Sequence, residues 1–129
     1  MKNSLLLKNC LLYNSSDNSS LVDILIEDSK ISFVDKPSLL KSPDETIDVN
    51  GRIAAPGLID IHIQGAGGAD ILDGTEDALL TIARTLARTG TTSYLGTTVV
   101  KPKENNYHLK VAKRYVNKFV DGATLSGFH

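Results

Sequence analysis

The run Leu58-Ile59-Asp60-Ile61-His62-Ile63 constrains this chain more than any other feature. It is nearly continuous in apolar residues, the pattern of a strand buried on both faces of a parallel sheet. A parallel neighbour requires a crossover connection, usually a helix, and the residues that follow supply one. Thr75 predicts an N-cap, and Glu76 and Asp77 sit at the positive end of the helix dipole. Leu79, Ile82, Ala83, Leu86 and Ala87 recur at helical spacing as one apolar stripe, and Gly90 stands where a helix-ending glycine belongs. A helix over about 75–89 follows, then a β-branched strand over 92–100. A second helix over about 104–120 carries Leu109, Ala112, Tyr115, Val116, Phe119 and Val120 on one side, and 123–129 begins a third strand. The order β-α-β-α-β with right-handed crossovers predicts three parallel strands covered by helices.

The residues before Pro56 follow a different grammar. Residues 5–13 read as a strand, 14–20 as a polar loop, and Val22–Glu27 with 31–35 as a hairpin across Asp28-Ser29-Lys30. Residues 36–45, with Pro37 and Pro43, read as loop. Residues 47–54 read as a second hairpin, Asn50-Gly51 supplying the positive φ of a type I′ turn. The expected division is therefore 1–55, an all-β part, and 56–129, an α/β part.

Fourteen basic and fifteen acidic residues leave a net charge of −1, too weak a field to recruit nucleic acid or an anionic membrane surface. Cys10 is the only cysteine, which excludes an intramolecular disulfide and a cysteine-rich zinc site and fits a reducing, cytoplasmic setting. Lys8 and Asn9 interrupt the apolar start after Leu5-Leu6-Leu7, so a first strand is expected there rather than a secretory leader. At 129 residues the chain is too short for a complete (β/α)8 barrel, which needs roughly 200 residues. It also stops inside what reads as a buried strand, and the expectation is a portion of something longer.

Three histidines are candidates for chemistry. His108 reads as a solvent-exposed helix residue and is set aside. His62 and His129 each fall at the C-terminal end of a parallel strand, where α/β folds collect ligands and catalytic groups. Period two points His62 and Gln64 to the same side of their strand. That arrangement suits either metal ligation completed from other strands or a histidine donating to a backbone carbonyl. Gly65-Ala66-Gly67-Gly68 could form an anion-binding nest, and a tight connection explains it equally well. Asp70, Asp73, Glu76 and Asp77 fit helix capping better than a carboxylate centre.

Pro56-Gly57-Leu58-Ile59-Asp60-Ile61-His62 resembles the signature strand that opens the metal-dependent barrel of the amidohydrolase superfamily. The stretch from Asp23 to Ile31 resembles the small β-sandwich that accompanies such barrels. Three further segments are similar to the N-acetylglucosamine-6-phosphate deacetylases. They are Gly65-Ala66-Gly67-Gly68-Ala69-Asp70, Thr89-Gly90-Thr91-Thr92-Ser93-Tyr94-Leu95-Gly96-Thr97 and the ending Gly127-Phe128-His129.

The resemblance implies an incomplete α/β fold: N-terminal hairpins of the sandwich plus the first β-α-β-α-β of the barrel. It implies hydrolysis of N-acetylglucosamine 6-phosphate to glucosamine 6-phosphate and acetate, with a divalent zinc or iron ion activating water and an aspartate as base and acid. His62 matches the first histidine of a His-x-His ligand pair, and Gln64 stands in the second place, a departure from it. Gly67, Gly68 and His129 fall on the substrate side. The family's metal-binding glutamate comes two positions after the residue matching His129, and its catalytic aspartate later still. No catalytic residue is therefore expected in this chain, which is expected to be inactive by itself and to hold no metal. Two other readings are a cyclic-amide amidohydrolase like dihydropyrimidinase or dihydroorotase, and a non-catalytic α/β module binding a sugar phosphate or a partner chain. The first favours an intact His-x-His. Apolar strand edges lead to an expectation of homo-oligomers.

Overall fold

Strand β1 (Ser4–Leu12) organises the described residues before Pro56. The computed structural model describes residues 4–13, 20–36 and 43–129, so most of the expected loops at 14–20 and 36–45 lie outside the described residues. The chain divides into two compact units, Met1–Pro56 and Gly57–His129. In the first, β2 (Val22–Glu27) pairs antiparallel with β1 and with β3 (Lys30–Asp35). The β2–β3 turn uses Asp28 and Ser29 at φ +50° and +63°, the type I′ geometry whose twist matches paired strands.

The expected second hairpin does not form. Strand β4 (Glu45–Asp48) and strand β5 (Ile53–Ala54) both pair parallel with β1, at Leu5–Lys8 and at Leu11–Leu12 respectively. Asn50 and Gly51 do adopt positive φ, +52° and +74°. They step the chain along β1 instead of reversing it, because β1 itself bulges at Asn9, φ +59°. Val49 N donates to Lys8 O and Gly51 N to Asn9 O, so the turn fits around the bulge.

That bulge is held by side chains. Asn9 N donates to Oδ1 of buried Asp23 at 3.1 Å, and Asn9 Nδ2 to Asp48 Oδ2 at 2.8 Å. Asn50 N donates to the other Asp48 oxygen, and the two donors, Asn9 foremost, hold this carboxyl below its ordinary range. Cys10, next in the chain, is buried; desolvation pushes its thiol pKa up, with Asp23 and Asp48 adding to the effect.

In the second unit, β6 (Leu58–Ile63), β9 (Thr91–Gly96) and β10 (Thr124–Phe128) form a parallel sheet in the order β6-β9-β10, so spatial order follows chain order. Between β6 and β9 lie a short hairpin of β7 (Gly65–Ala66) and β8 (Ala69–Asp70), a 3₁₀ turn (Ile71–Asp73) and α1 (Glu76–Arg88). Thr75 caps α1 by accepting from Ala78 N at 3.1 Å. Asp70 accepts from Leu72 N while Asp73 accepts from Asp70 N, so these carboxylates close a capping box, as the sequence pattern favours.

The core gathers Ile71, Leu79, Ile82, Leu86, Tyr94, Val111, Ala112, Ala123 and Leu125. Tyr94 is 1% exposed, and burial pushes its phenol up to about 12. Ala87, assigned to the apolar stripe of α1, faces out.

The second helix is much shorter than its periodicity predicts: α2 covers Tyr107–Lys113. Asn106 at φ +46° stands at its N-terminal cap, and beyond Lys113 the chain runs through a turn to Asn117 at φ +55°, asparagine being one of the few residues that tolerates the left-handed region. Asn106 closes a turn on Lys101, accepting from its N–H and donating to its carbonyl, and Asn117 N donates to Leu125 O at 2.8 Å. Beyond that turn the helical stripe breaks down, and Phe119 is 96% exposed. His108 is buried, not solvent-facing, against the backbone at Gly74.

Two strands also differ from expectation. Strand β9 ends at Gly96, and Val99 and Val100 are exposed. Strand β6 reads as doubly buried, yet Leu58, Ile59 and Ile61 are 62–69% exposed: it is an edge of its sheet among the described residues, and of its side chains only Ile63 packs against the core.

Replacing Asn9 by glycine keeps the left-handed backbone and removes the side-chain donor to Asp48. The Asp48 pKa is expected to rise toward the ordinary carboxylate range in a carboxyl NMR titration. A carboxyl depressed by folding favours the folded state above its unfolded pKa, and that contribution is lost as pH falls through the folded value. The variant should therefore show less of this acid-side loss than the parent; an unchanged Asp48 titration would refute the role given to Asn9.

Candidate functional site

The C-terminal ends of the three parallel strands are tied into one edge by main-chain hydrogen bonds. Thr97 N donates to Ile63 O at 2.7 Å, His129 N to Gly96 O at 3.2 Å and Thr98 N to His129 O at 3.1 Å. The central strand's end is thus bracketed by the residues that follow His62 on one side and by His129 on the other. This is the end of an α/β sheet at which ligands bind.

The structure brings His62 and His129 together there, 67 residues apart in the chain. Their ring centres are 4.6 Å apart with the planes inclined at 54°, and both residues are exposed. His62 is pinned through its N–H, which donates to Asp60 Oδ1 at 3.0 Å. Strand position indicates each histidine separately; only the sheet order, which places β6 and β10 either side of β9, predicts that they meet.

Gln64 goes elsewhere. It lies just past β6, its carbonyl accepts from Ile71 N at 2.9 Å, and it lines an open concavity of about 410 Å³ with Gly65, Ala66, Gly68, Ala69 and Asp70. Gly67 and Gly68 form the tip of the β7–β8 hairpin at φ +65° and +83°. A side chain at Gly67 would meet Thr85 Oγ1 of α1, and one at Gly65 would meet the backbone carbonyl of Ala69. Turn geometry and close packing against α1 therefore account for the glycines without a ligand.

Three buried polar groups escape the sequence reading. The hydroxyls of Thr97 and Thr98, just after β9, are buried without a hydrogen-bond partner among the described residues, as is Nε2 of His108. Thr97 is 8% exposed. The only sequence signal for the threonines is their position at a strand's C-terminal end.

The donor set bears directly on metal chemistry. Among the described residues, no group of three or more His, Cys, Asp or Glu side chains is arranged to hold a metal ion. A catalytic zinc takes about three protein ligands. The imidazole pair supplies two, so the described residues do not fit a complete catalytic metal centre. No helix among them is long and apolar enough to cross a membrane.

Comparison with known proteins shows what this chain is similar to. No family model matches the sequence. An N-acetylglucosamine-6-phosphate deacetylase of Vibrio furnissii is 40% identical over 107 residues, covering 64% of this chain and 26% of the relative. The Haemophilus influenzae enzyme of the same name is 32% identical over 112 residues, covering 85% of this chain and 29% of the relative. The crystal structure of the Pasteurella multocida deacetylase shares the fold, with a TM-score of 0.73 at 24% identity over 93% of this chain and 32% of that one.

The fold is α/β, and the chain is similar to enzymes of the amidohydrolase type. More narrowly, it is similar to the N-acetylglucosamine-6-phosphate deacetylases and spans somewhat over a quarter of the length of those two curated relatives.

The two close approaches in the β7–β8 hairpin give a ranked expectation. Gly65→Ala drives a methyl group into backbone that cannot move aside cheaply, whereas Gly68→Ala meets nothing within 4 Å and carries only left-handed strain of roughly 1–2 kcal/mol. Urea denaturation should find Gly65→Ala the more destabilising; the reverse order would contradict the packing described.

Proposed function

We infer that this chain contributes the N-terminal part of an N-acetylglucosamine-6-phosphate deacetylase: sandwich strands within 1–55, and the first β-α-β-α-β of the hydrolase barrel within 56–129. The observation that carries the reading is the pairing of His62 and His129 at the C-terminal edge of a parallel sheet whose strand order follows the chain. Deacetylase relatives that match 64–85% of the chain support the substrate class, an amino-sugar phosphate. Gln64 in place of a second histidine weighs against the cyclic-amide hydrolases.

In this reading the chain's task is positional. The ladders on β9 hold the strand ends in register, and the bonds of Thr97 and Thr98 keep His62 and His129 at the mouth. His62 is the residue assigned to a divalent metal, and Gln64 stands in the second ligand position. Gly67, Gly68 and His129 border the substrate. A bound zinc or iron ion would supply Lewis-acid activation of water. With two imidazoles as its donor set, the 129-residue chain by itself does not hydrolyse the substrate. The setting consistent with this metabolism is the cytoplasm.

A chimera tests the assignment. This chain replaces the matching segment of the Haemophilus influenzae deacetylase, and acetate release from N-acetylglucosamine 6-phosphate is measured beside a melting curve. A folded, active chimera is expected, with no acetate released by the 129-residue chain at the same concentration. A folded but inactive chimera would overturn the reading, as would release by the chain alone.

The open edge of β6, with Leu58, Ile59 and Ile61 exposed, supports self-association of the isolated chain. Multi-angle light scattering should show mass rising above that of one chain with concentration, and Ile61→Lys should shift the distribution toward monomer. A monodisperse monomer at high concentration would count against it.

A further inference from the structure

We propose that the groove between the start of α1 and the exposed side of α2 is a binding site for a small aromatic anion. The groove encloses about 610 Å³ and shares no residue with the His62–His129 edge or with the concavity at Gln64. It rests on the geometry of the second unit and stands whether or not the deacetylase reading holds.

Three observations converge on it. The first is ring surface over an apolar base. Tyr107, Val111, Arg114 and Tyr115 recur at helical spacing, so they share one side of α2 and of the turn that continues it. Val111 is buried, whereas Tyr107 is 58% exposed. Phe119 joins the same groove beyond Asn117, 96% exposed and not packed against the core. A phenylalanine left in water forgoes the burial its ring would gain, and a ligand ring stacked on it would recover that gain.

The second is charge. Arg114 and Lys118 both line the groove, and neither has an ion-pair partner among the described residues. Glu76 lines it too, but its carboxylate is engaged. It accepts from the Tyr115 hydroxyl, a contact that pushes this phenol above its ordinary pKa, with Asp77 adding to the effect. Glu76 also stands in the first turn of α1, where the helix dipole offsets a negative charge. The two cations are left to a ligand, and guanidinium and ammonium groups donate strongly to phosphate and carboxylate oxygens.

The third is preorganisation. A Cβ at Gly74 would lie 3.1 Å from His108 Cα, so the chain entering α1 already touches the start of α2. Arg114 N donates to Val111 O at 3.0 Å, Tyr115 N to Ala112 O at 2.9 Å and Lys118 N to Tyr115 O at 3.1 Å. These bonds fix the backbone that carries both cations, so little ordering remains to oppose binding. The volume lies within the roughly 300–1,000 Å³ of small-molecule sites.

The experiment adds phenyl phosphate to the 129-residue chain, reading the backbone amide resonances by NMR and the affinity by calorimetry. A dissociation constant of about 1 mM or tighter is expected for a ligand of this size, with shifts centred on the stretch from Tyr107 to Val120. Benzylammonium keeps the ring and reverses the charge; inorganic phosphate keeps the charge and lacks the ring. Each should bind about tenfold more weakly. Arg114→Gln, Lys118→Gln and Phe119→Ser alter exposed side chains, and each should weaken phenyl phosphate binding about fivefold. Glu76→Gln should strengthen it, and Lys101→Gln, which removes a cation outside the groove, should leave it unchanged. Circular dichroism confirms that each variant folds. Benzylammonium or inorganic phosphate binding as tightly as phenyl phosphate would overturn the proposal. So would shifts centred on β6, an affinity untouched by the Arg114, Lys118 and Phe119 variants, or no binding at about 10 mM ligand.

Discussion

Pairing on both sides of β9 is the constraint on which the second unit depends. Strands β6 and β10 each hydrogen-bond to it, and among the described residues neither has another strand partner in that sheet. Its side chains also anchor the core: Tyr94 is almost wholly buried, and a side chain at Gly96 would press on Ile71 and Leu125 at 3.1–3.2 Å. Helix α1 covers this layer with Leu79, Ile82 and Leu86, completing the crossover from β6. The pair of His62 and His129 hangs from the C-terminal ends that β9 aligns.

Much of that scaffold is legible in the residues. The stripe of α1, its Thr75 cap and the two carboxylates of the capping box are local chemistry, in which a side chain meets a backbone group two or three residues away. The β2–β3 turn and the glycine pair at the β7–β8 tip are equally local, because positive φ is a property of the residue. The resemblance to the amidohydrolases rests on such segments too, and relatives named N-acetylglucosamine-6-phosphate deacetylase share it.

The misreadings occur where two distant segments compete for the same backbone. Asn50-Gly51 carries the strongest hairpin signal in the chain, yet β4 and β5 both find β1, whose bulge at Asn9 leaves two separate stretches to pair with. The second helical stripe from Leu109 to Val120 is real as a pattern. The helix starts only after Asn106, which is bonded to Lys101, and ends at Lys113, ahead of the turn in which Asn117 N donates to Leu125 O of the following strand. His108 is buried for a similar reason, since the chain at Gly74 packs directly onto its backbone.

The candidate site shows the same division. The sequence by itself determined the class of fold, the strand ends on which His62 and His129 stand, and the family to which its motifs compare. It did so because periodicity, capping and turn preferences act over a few residues. Only the tertiary structure decided that the two imidazoles meet at 4.6 Å while Gln64 lines the concavity beside the hairpin. That outcome follows from the parallel order β6-β9-β10 and from the hydrogen bonds at its edge, interactions between segments more than thirty residues apart that no local pattern encodes.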